Sequence, residues 1–341
     1  MMAEARRGLS GVLAGCVTLE GHADKVHCLA WNVDGSCLAS GSMDRSVRVW
    51  KGMDVPRTGS AVELAGHGDS VEQVRWNPTS VDEVASASSD CTVRFWDMRS
   101  GTCTRSVTTG TAGNLSICWS PCGRYVAVSN SDDVLSILDA RAGCKVVKTY
   151  KFNFEINEIG WDRSGTRFLI TSSLGTVEIM RPGEEEEEEE KEKGGGGGEE
   201  GGSSSPGSTL SRQGTLAAHT ASIHAMEFDP TGTYFALGGA DTLVSLWDVE
   251  EGACVRTFTC SQEPVRCLSF SGCGTVLAVA GDSPSVEGVV VANGGAAFSI
   301  PARAPTNDCA FCPRKDRPMA LALAEDRPGP GAVRLFHSAA M

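Results

Sequence analysis

The chain has 341 residues, 41% of them hydrophobic and 21% charged, long enough to bury a large core in one domain. Its formal charge is −13, but ten Glu and two Lys fall between residues 184 and 200, so the remainder is only mildly acidic. No run of Lys and Arg is longer than Arg6-Arg7 or Arg314-Lys315, which leaves out the basic stripe that phosphate neutralisation requires, so no direct contact with nucleic acid is expected.

Residues 1–14 read as a flexible tail: Gly8, Gly11 and Gly15 break its short apolar run, too short for a secretory core. No apolar run reaches ~18 residues, so no membrane-spanning helix is expected. Cys16 to Leu19 is β-like and is expected to be the outer strand of the last repeat, closing a ring by pairing the two chain ends.

From Gly21-His22 the chain runs in short β-rich stretches punctuated by turns. His67 to Asp97 shows the unit most clearly. Val71 to Trp76, Val84 to Ser88 and Thr92 to Trp96 are strand-like, and Asn77-Pro78 and Ser89-Asp90 are turns. A three-stranded meander cannot cover both of its faces, so such a unit requires copies on either side. The copies are present. His22 leads to Trp50, His67 to Trp96 and His219 to Trp247 at separations of 28, 29 and 28 residues, and His22 to His67 is 45.

These segments, opening on Gly-His and closing on Trp-Asp, resemble the WD-repeat family. The resemblance implies an all-β, seven-bladed WD-repeat β-propeller over residues 15–338, in which loop His, strand Ser or Thr, turn Asp and final Trp form a hydrogen-bonded tetrad. His22, Ser40, Asp44 and Trp50 fit that pattern, as do His67, Ser86, Asp90 and Trp96. In the later repeat His219, Asp241 and Trp247 fit, but Leu237 stands where the small hydroxyl residue belongs, so this tetrad is expected to be looser. A His near an Asp and a Ser also suits a hydrolase triad, but recurrence at the repeat period and the terminal Trp point to framework.

The third and fourth repeats, Leu115 to Asp139 and Ile156 to Met180, keep the strand pattern without the signature; Leu138 stands where Trp would. Residues 182–211 are rich in Glu, Gly and Ser, with no apolar residue until Leu210. They read as a disordered insertion between the third and fourth strands of the fourth blade, on the face opposite the His and Asp turns. The sixth repeat, Val265 to Val291, loses both His and Trp, and the seventh runs from Asp308 to Phe336.

The fourteen cysteines are scattered, several within strand runs (Cys28, Cys37, Cys118, Cys267), and read as reduced thiols acting as small apolar side chains. Cys309 and Cys312 lie i, i+3 on a strand and so point to opposite faces, with no second such pair, and no metal site is expected. No Gly-x-x-x-x-Gly-Lys or His-Glu-x-x-His motif occurs, so neither an enzyme nor a cofactor is expected.

Beyond the general repeat, His67 to Pro78, Asn114 to Pro121 with Asn130 to Val134, Phe152 to Trp161, Phe228 to Ala236 with Ala240 to Val249, and Pro264 to Ser271 resemble the THO complex subunit 3 family. That likeness covers about residues 20 to 337 apart from the acidic insertion, which departs from the family pattern, and residues 272 to 300, which match poorly. It implies a non-catalytic nuclear subunit of THO, the core of the TREX assembly in mRNA export. Such a subunit would dock on large helical THO subunits and reach mRNP and export factors indirectly. The alternative is a peptide-reading adaptor for a histone tail or degron. The turn residues expected to face its channel are Asp24, Lys25, Arg45, Asp69, Asp132 and Asp133, whose mixed signs make no obvious pocket.

Overall fold

The computed structural model describes residues 13, 15–52, 61–141, 143–183, 209–314, 320–327 and 329–337. These residues form 28 strands in seven four-stranded antiparallel sheets, and no helix occurs among them. Each sheet is one blade of a β-propeller. Its first strand is innermost, and neighbouring first strands contact one another round the ring, as β2 (Val26–Trp31) does with β6 (Val71–Trp76) and β26 (Thr306–Phe311). The ring closes through β1 (Gly15–Glu20), which pairs with β28 (Ala332–His337) from Gly15 opposite His337 to Glu20 opposite Ala332. The free sheet edges an open array would expose at its two ends are thereby removed.

The local sequence explains the inner strands. Six carry the same register slip after their first residue, between Val26 and Cys28, Val71 and Gln73, and at the matching place in the third, fifth, sixth and seventh blades, while in the fourth it spans Ile156 to Ile159. The bulge leaves one residue unpaired at the mouth of the ring and re-aims the residues that follow. All seven end on an aromatic residue: Trp31, Trp76, Trp119, Trp161, Phe228, Phe270 and Phe311. Burying one such ring is worth an upper limit of ~4–6 kcal/mol, from ~150–250 Å² at ~25 cal/mol/Å². In the first three blades the indole N–H also donates to the preceding blade: Trp31 to the Ala310 carbonyl at 3.0 Å, Trp76 to Ala30 at 2.9 Å and Trp119 to Arg75 at 3.1 Å.

The cores lie between blades rather than within them. Phe95 of the second blade, for instance, meets Trp119 of the third edge to face at 5.7 Å, alongside Val126, Leu138 and Val93. Leu138, fully buried there, fills with aliphatic bulk the place a Trp takes elsewhere.

Three boundaries differ from expectation. Residues 182 and 183 continue β16 (Thr176–Gly183) and residues 209–211 begin β17 (Thr209–Ala217), with Pro182 opposite Leu210 and Gly183 opposite Thr209. Leu210 is buried and its N–H donates to the Tyr150 hydroxyl at 2.5 Å, which explains why an apolar residue ends the polar tract. Residues 184–208 of the expected insertion lie outside the described residues, as do residues 1–14 of the expected tail except Leu13, which packs against the core between the sixth and seventh blades. The sixth blade, whose signature is missing, is a regular four-stranded sheet ending in β25 (Ala296–Pro301).

Candidate functional site

Two places gather polar side chains: the His-centred relays of three blades, and the channel down the ring axis.

In the first blade His22 Nδ1 lies 2.9 Å from Asp44 Oδ2 and its Nε2 lies 2.8 Å from Ser40 Oγ, which accepts from Trp50 Nε1 at 3.0 Å. In the second the corresponding distances are 2.9 Å for His67 to Asp90, 2.7 Å for His67 to Ser86 and 2.9 Å for Trp96 to Ser86. Each Asp also accepts the backbone N–H that follows the His, Ala23 or Gly68, and so ties two turns together. Burial alone would raise the Asp44 carboxyl, but hydrogen bonds from His22 and Ser46 outweigh it and hold the group far below the usual carboxylate range. Asp90 is held down in the same way by Thr92, the Gly68 N–H and His67. Burial lowers the pKa of His67 despite Asp90. A neutral imidazole then donates from Nδ1 to Asp90 and accepts the serine proton at Nε2, and the serine oxygen accepts from the indole. Ser40 and Ser86 are fully buried, so the relay joins strands and offers no nucleophile to a substrate.

The fifth blade corrects the expectation of a looser relay. His219 lies 2.8 Å from Asp241 and 2.7 Å from Ser245 Oγ, and Trp247 Nε1 donates to the same Ser245 oxygen at 2.7 Å. Leu237 and Ser245 are directly opposed residues of neighbouring strands, just as Ser40 opposes Arg48 and Ser86 opposes Arg94. The hydroxyl has crossed to the other member of the pair, a shift of ~5 Å between Cβ atoms that the His and Trp between them can absorb. Aligning Ser245 with Arg48 and Arg94 is the sequence signal that finds it.

The channel encloses a cavity of about 480 Å³ walled chiefly by the first strands. None of Asp24, Lys25, Arg45, Asp69, Asp132 and Asp133 lines it. They sit on turns that cap the sheet ends and serve the turns themselves. Lys25 pairs with Asp326 at 2.7 Å, Asp24 and Asp69 accept from the N–H of the next residue, and Lys151 donates to the Asp132 carbonyl. Asp133 accepts from Ile156 N in the next blade at 3.3 Å. Arg45 and Asp133 are left-handed, at φ 70° and 56°, at the same turn position where the fourth blade has Gly175. There a Cβ would come within 2.3 Å of the His219 carbonyl, so only glycine fits.

The axis is reached instead by the third and fifth residues of the inner strands. In the first, third and sixth blades these are all small, but Gln73, Arg75, Glu158, Glu227 and Asp308 of the other four are not. Arg75 stretches from the second blade to within 3.7 Å of Glu158 in the fourth, on β14 (Ile156–Trp161). Gln73 donates to the same carboxylate at 3.0 Å and accepts Ile117 N–H at 2.5 Å, linking three blades. Asp308 accepts Leu29 N–H at 2.7 Å and so joins the seventh blade to the first. Burial opposes the charge on Arg75, yet Glu158, Asp308 and Glu227 outweigh it and raise its pKa further. Burial raises Glu158 and pushes Glu227 up to about 7 and Asp308 up to about 6, with Arg75 offsetting only part of the effect. This cluster carried no motif that a single sequence could reveal. It appears only when the seven inner strands are superposed and their third and fifth residues compared.

Seven four-stranded blades, three of them pinned by a His–Ser–Trp–Asp relay, define a WD-repeat β-propeller. Residues 16–51 and 60–97 match the WD domain, G-beta repeat family, and residues 212–271 match the anaphase-promoting complex subunit 4 WD40 domain. THO complex subunit 3 of Arabidopsis thaliana is 39% identical over 327 residues, which cover 93% of each chain. This chain belongs to the THO complex subunit 3 family of WD-repeat proteins. More distant is the WD repeat-containing protein AAC3 of Dictyostelium discoideum, 35% identical over 74% of this chain and 52% of that protein. The mouse F-box-like/WD repeat-containing protein TBL1X is 33% identical over 76% of this chain and 46% of that protein.

Proposed function

We propose that the protein is a non-catalytic scaffold subunit of the THO part of TREX, working in the nucleus in mRNP assembly and mRNA export through protein–protein contacts. Its partners would be the large helical THO subunits. The observation that carries this reading is a 39% identity maintained across 93% of both chains, a span that takes in the third, fourth, sixth and seventh blades. Their lack of the general WD signature removes the trivial source of likeness between propellers. Buried, fully bonded relay serines support a binding role over a catalytic one.

The test is co-purification of the tagged full-length chain from nuclear extract, with mass spectrometry of what is retained. Large helical partners in fixed stoichiometry, held through an interface above ~1,000 Å², are the expected result. Recovery as a monomer that retains only short peptides would overturn the reading in favour of a peptide-reading adaptor.

A further inference from the structure

Three arginines occupy one place in the ring. Arg48 is the third residue of β4 (Ser46–Lys51), Arg94 the third of β8 (Thr92–Asp97) and Arg334 the third of β28. Each lies directly opposite a residue of its blade's outer strand: Glu63 of β5 (Ala61–Ala65), Ser106 of β9 (Thr102–Thr108) and Thr18 of β1. Two of the three guanidiniums meet a carboxylate. Arg48 donates to Glu63 across the strand pair at 2.6 Å, and Arg334 donates to Glu325 of the strand on its other side. Arg94 meets no carboxylate among the described residues; its one bond is a weak contact from Nη1 to Cys103 Sγ at 4.0 Å. Opposite it Ser106 is exposed, and no described residue takes up its hydroxyl. The neighbouring Arg105 lies opposite Phe95 instead and is held by Glu83 and the Ala140 carbonyl. The other exposed hydroxyls of β9 are placed differently: Thr102 lies opposite Asp97, Thr108 opposite Thr92, and Thr104 donates to the Phe95 carbonyl at 3.1 Å.

We propose that Ser106 is a phosphorylation site and that Arg94 is the cation that holds the phosphate. Directly opposed residues of an antiparallel pair keep their Cβ atoms ~4.5–5.5 Å apart, the spacing across which Glu63 reaches Arg48. A phosphoserine carries its charged oxygens at the same number of bonds from Cβ as a glutamate does, so it reaches Arg94 in the same way. The modification completes in the second blade the cross-strand ion pair that the first blade builds from its sequence alone, with a larger charge of about −1.5 to −2 at pH 7. Because β9 is the edge of its sheet and pairs on one side only, the hydroxyl is open to a protein kinase. In the transfer the Ser106 oxygen bonds to the γ-phosphorus of ATP as the bond from that phosphorus to the bridging oxygen breaks. ADP leaves, and the hydroxyl proton passes to the kinase's base. The phosphate then draws β9 onto β8 at the rim and turns its remaining oxygens to solvent. This inference concerns the rim of the second blade and stands whether or not the chain works in an export assembly.

The test has two arms, both on the full-length protein. In the first, the protein is incubated with ATP and an extract of the cells that make it, with phosphatases inhibited, and mass spectrometry locates the phosphate. The expected result is phosphate on Ser106. In the second, phosphoserine is placed at position 106 by genetic encoding and its second ionisation is followed by phosphorus NMR. The expected pKa is lowered from the ordinary ~6 to about 5–5.5 by the facing guanidinium, and the shift shrinks as salt is added. Arg94→Gln should return the phosphate to its ordinary pKa, whereas Arg94→Lys, which keeps a charge at that place, should retain part of the shift. A phosphate merely displayed on the surface would titrate alike in all three chains. No phosphate on Ser106 in the first arm, an ordinary pKa in the second, or a shift unchanged by Arg94→Gln would each overturn the proposal.

Discussion

The first, second and fifth blades and the seventh solve the same problem with different chemistry. Each must tie an inner-strand loop to its own outer strands at the mouth of the ring. The first three do it with a relay of indole, hydroxyl, imidazole and carboxylate, in which only the Asp is charged and that Asp reaches the edge of the protein. The seventh has neither a loop His nor a Trp at the relay positions. It buries an ion pair, Arg334 with Glu325 at 2.5 Å, with side chains 7% and 1% exposed. Glu325 also accepts the Arg303 N–H at 2.9 Å, Arg334 also donates to the Pro301 carbonyl, and its guanidinium lies 4.6 Å from the centre of the Phe336 ring. A relay that loses one member leaves neutral groups unpaired, at about 1–3 kcal/mol. A buried pair leaves a naked charge behind, which is the more expensive failure. The seventh blade is also the one made from both ends of the chain, so the ring's closure rests on its less forgiving lock.

That contrast sets the largest expected effect. Arg334→Met leaves the buried Glu325 with the Arg303 N–H and, at 4.0 Å, the half-exposed Arg327 guanidinium, and should cost about 3 kcal/mol in urea unfolding, with amide exchange at β1 and β28 accelerated ahead of the rest of the ring. A loss no larger than that of a relay serine would erase the distinction between the two locks. Removing a relay hydroxyl is next. Ser86→Ala should cost about 1–3 kcal/mol, because His67 Nε2 and the Trp96 N–H both lose a partner in a buried place. Ser245→Ala should cost as much. If Ser245→Ala proved neutral while Ser86→Ala did not, the fifth blade's relay would not be the equal of the second's.

The legible part of this molecule is the part that repeats. Strand after strand followed from alternation and turn residues, and the bridging of the chain ends followed from the β-like run at Cys16 to Leu19, because seven copies of one pattern average out local ambiguity. What escaped the sequence was whatever exchanged places across strands. Ser245 replaces the hydroxyl expected at position 237 because an opposed pair is two separate entries in the chain but one place in space. The Arg334–Glu325 lock is likewise a pair nine residues apart that no WD signature marks. The channel was misplaced for a related reason. The turns are the conspicuous charged segments of the sequence, whereas the wall of the axis is made by isolated residues, Arg75, Glu158, Glu227 and Asp308, each sitting in an otherwise unremarkable strand of a different blade.

The relays and the channel should also respond to pH with opposite sign. Asp44 and Asp90 have folded pKa values below the ordinary 3.8, so their stabilisation is present above that value and is lost as pH falls through the folded ones. Glu227 is raised from 4.5 to about 7, so between those values the folded protein holds a proton that the unfolded chain has released. Stability from this group therefore declines as pH rises through the window and is fully retained below it. Glu227→Gln should flatten the decline from pH 4.5 to about 7 in a series of melting curves and leave the acid limb unchanged. A decline that survives the substitution intact would remove the channel from the account of pH dependence.

The smallest effect concerns the fourth blade, which has neither a relay nor a buried Arg–Glu lock. It relies on its own long outer pair. Arg212 of β17 contacts Glu178 of β16 at 2.6 Å and 3.1 Å, Thr215 adds a bond at 2.9 Å, and the pairing runs out to Gly183 opposite Thr209. If those contacts suffice, residues 184–208 add nothing to the blade, and replacing them with a flexible Gly-Ser segment of half the length should raise stability by about 0.6 kcal/mol through cheaper loop closure. Chemical unfolding of the two chains side by side measures this. A loss of about 2 kcal/mol or more would mean that the fourth blade draws on residues 184–208 for packing, and that a blade without either lock cannot stand on strand pairing alone.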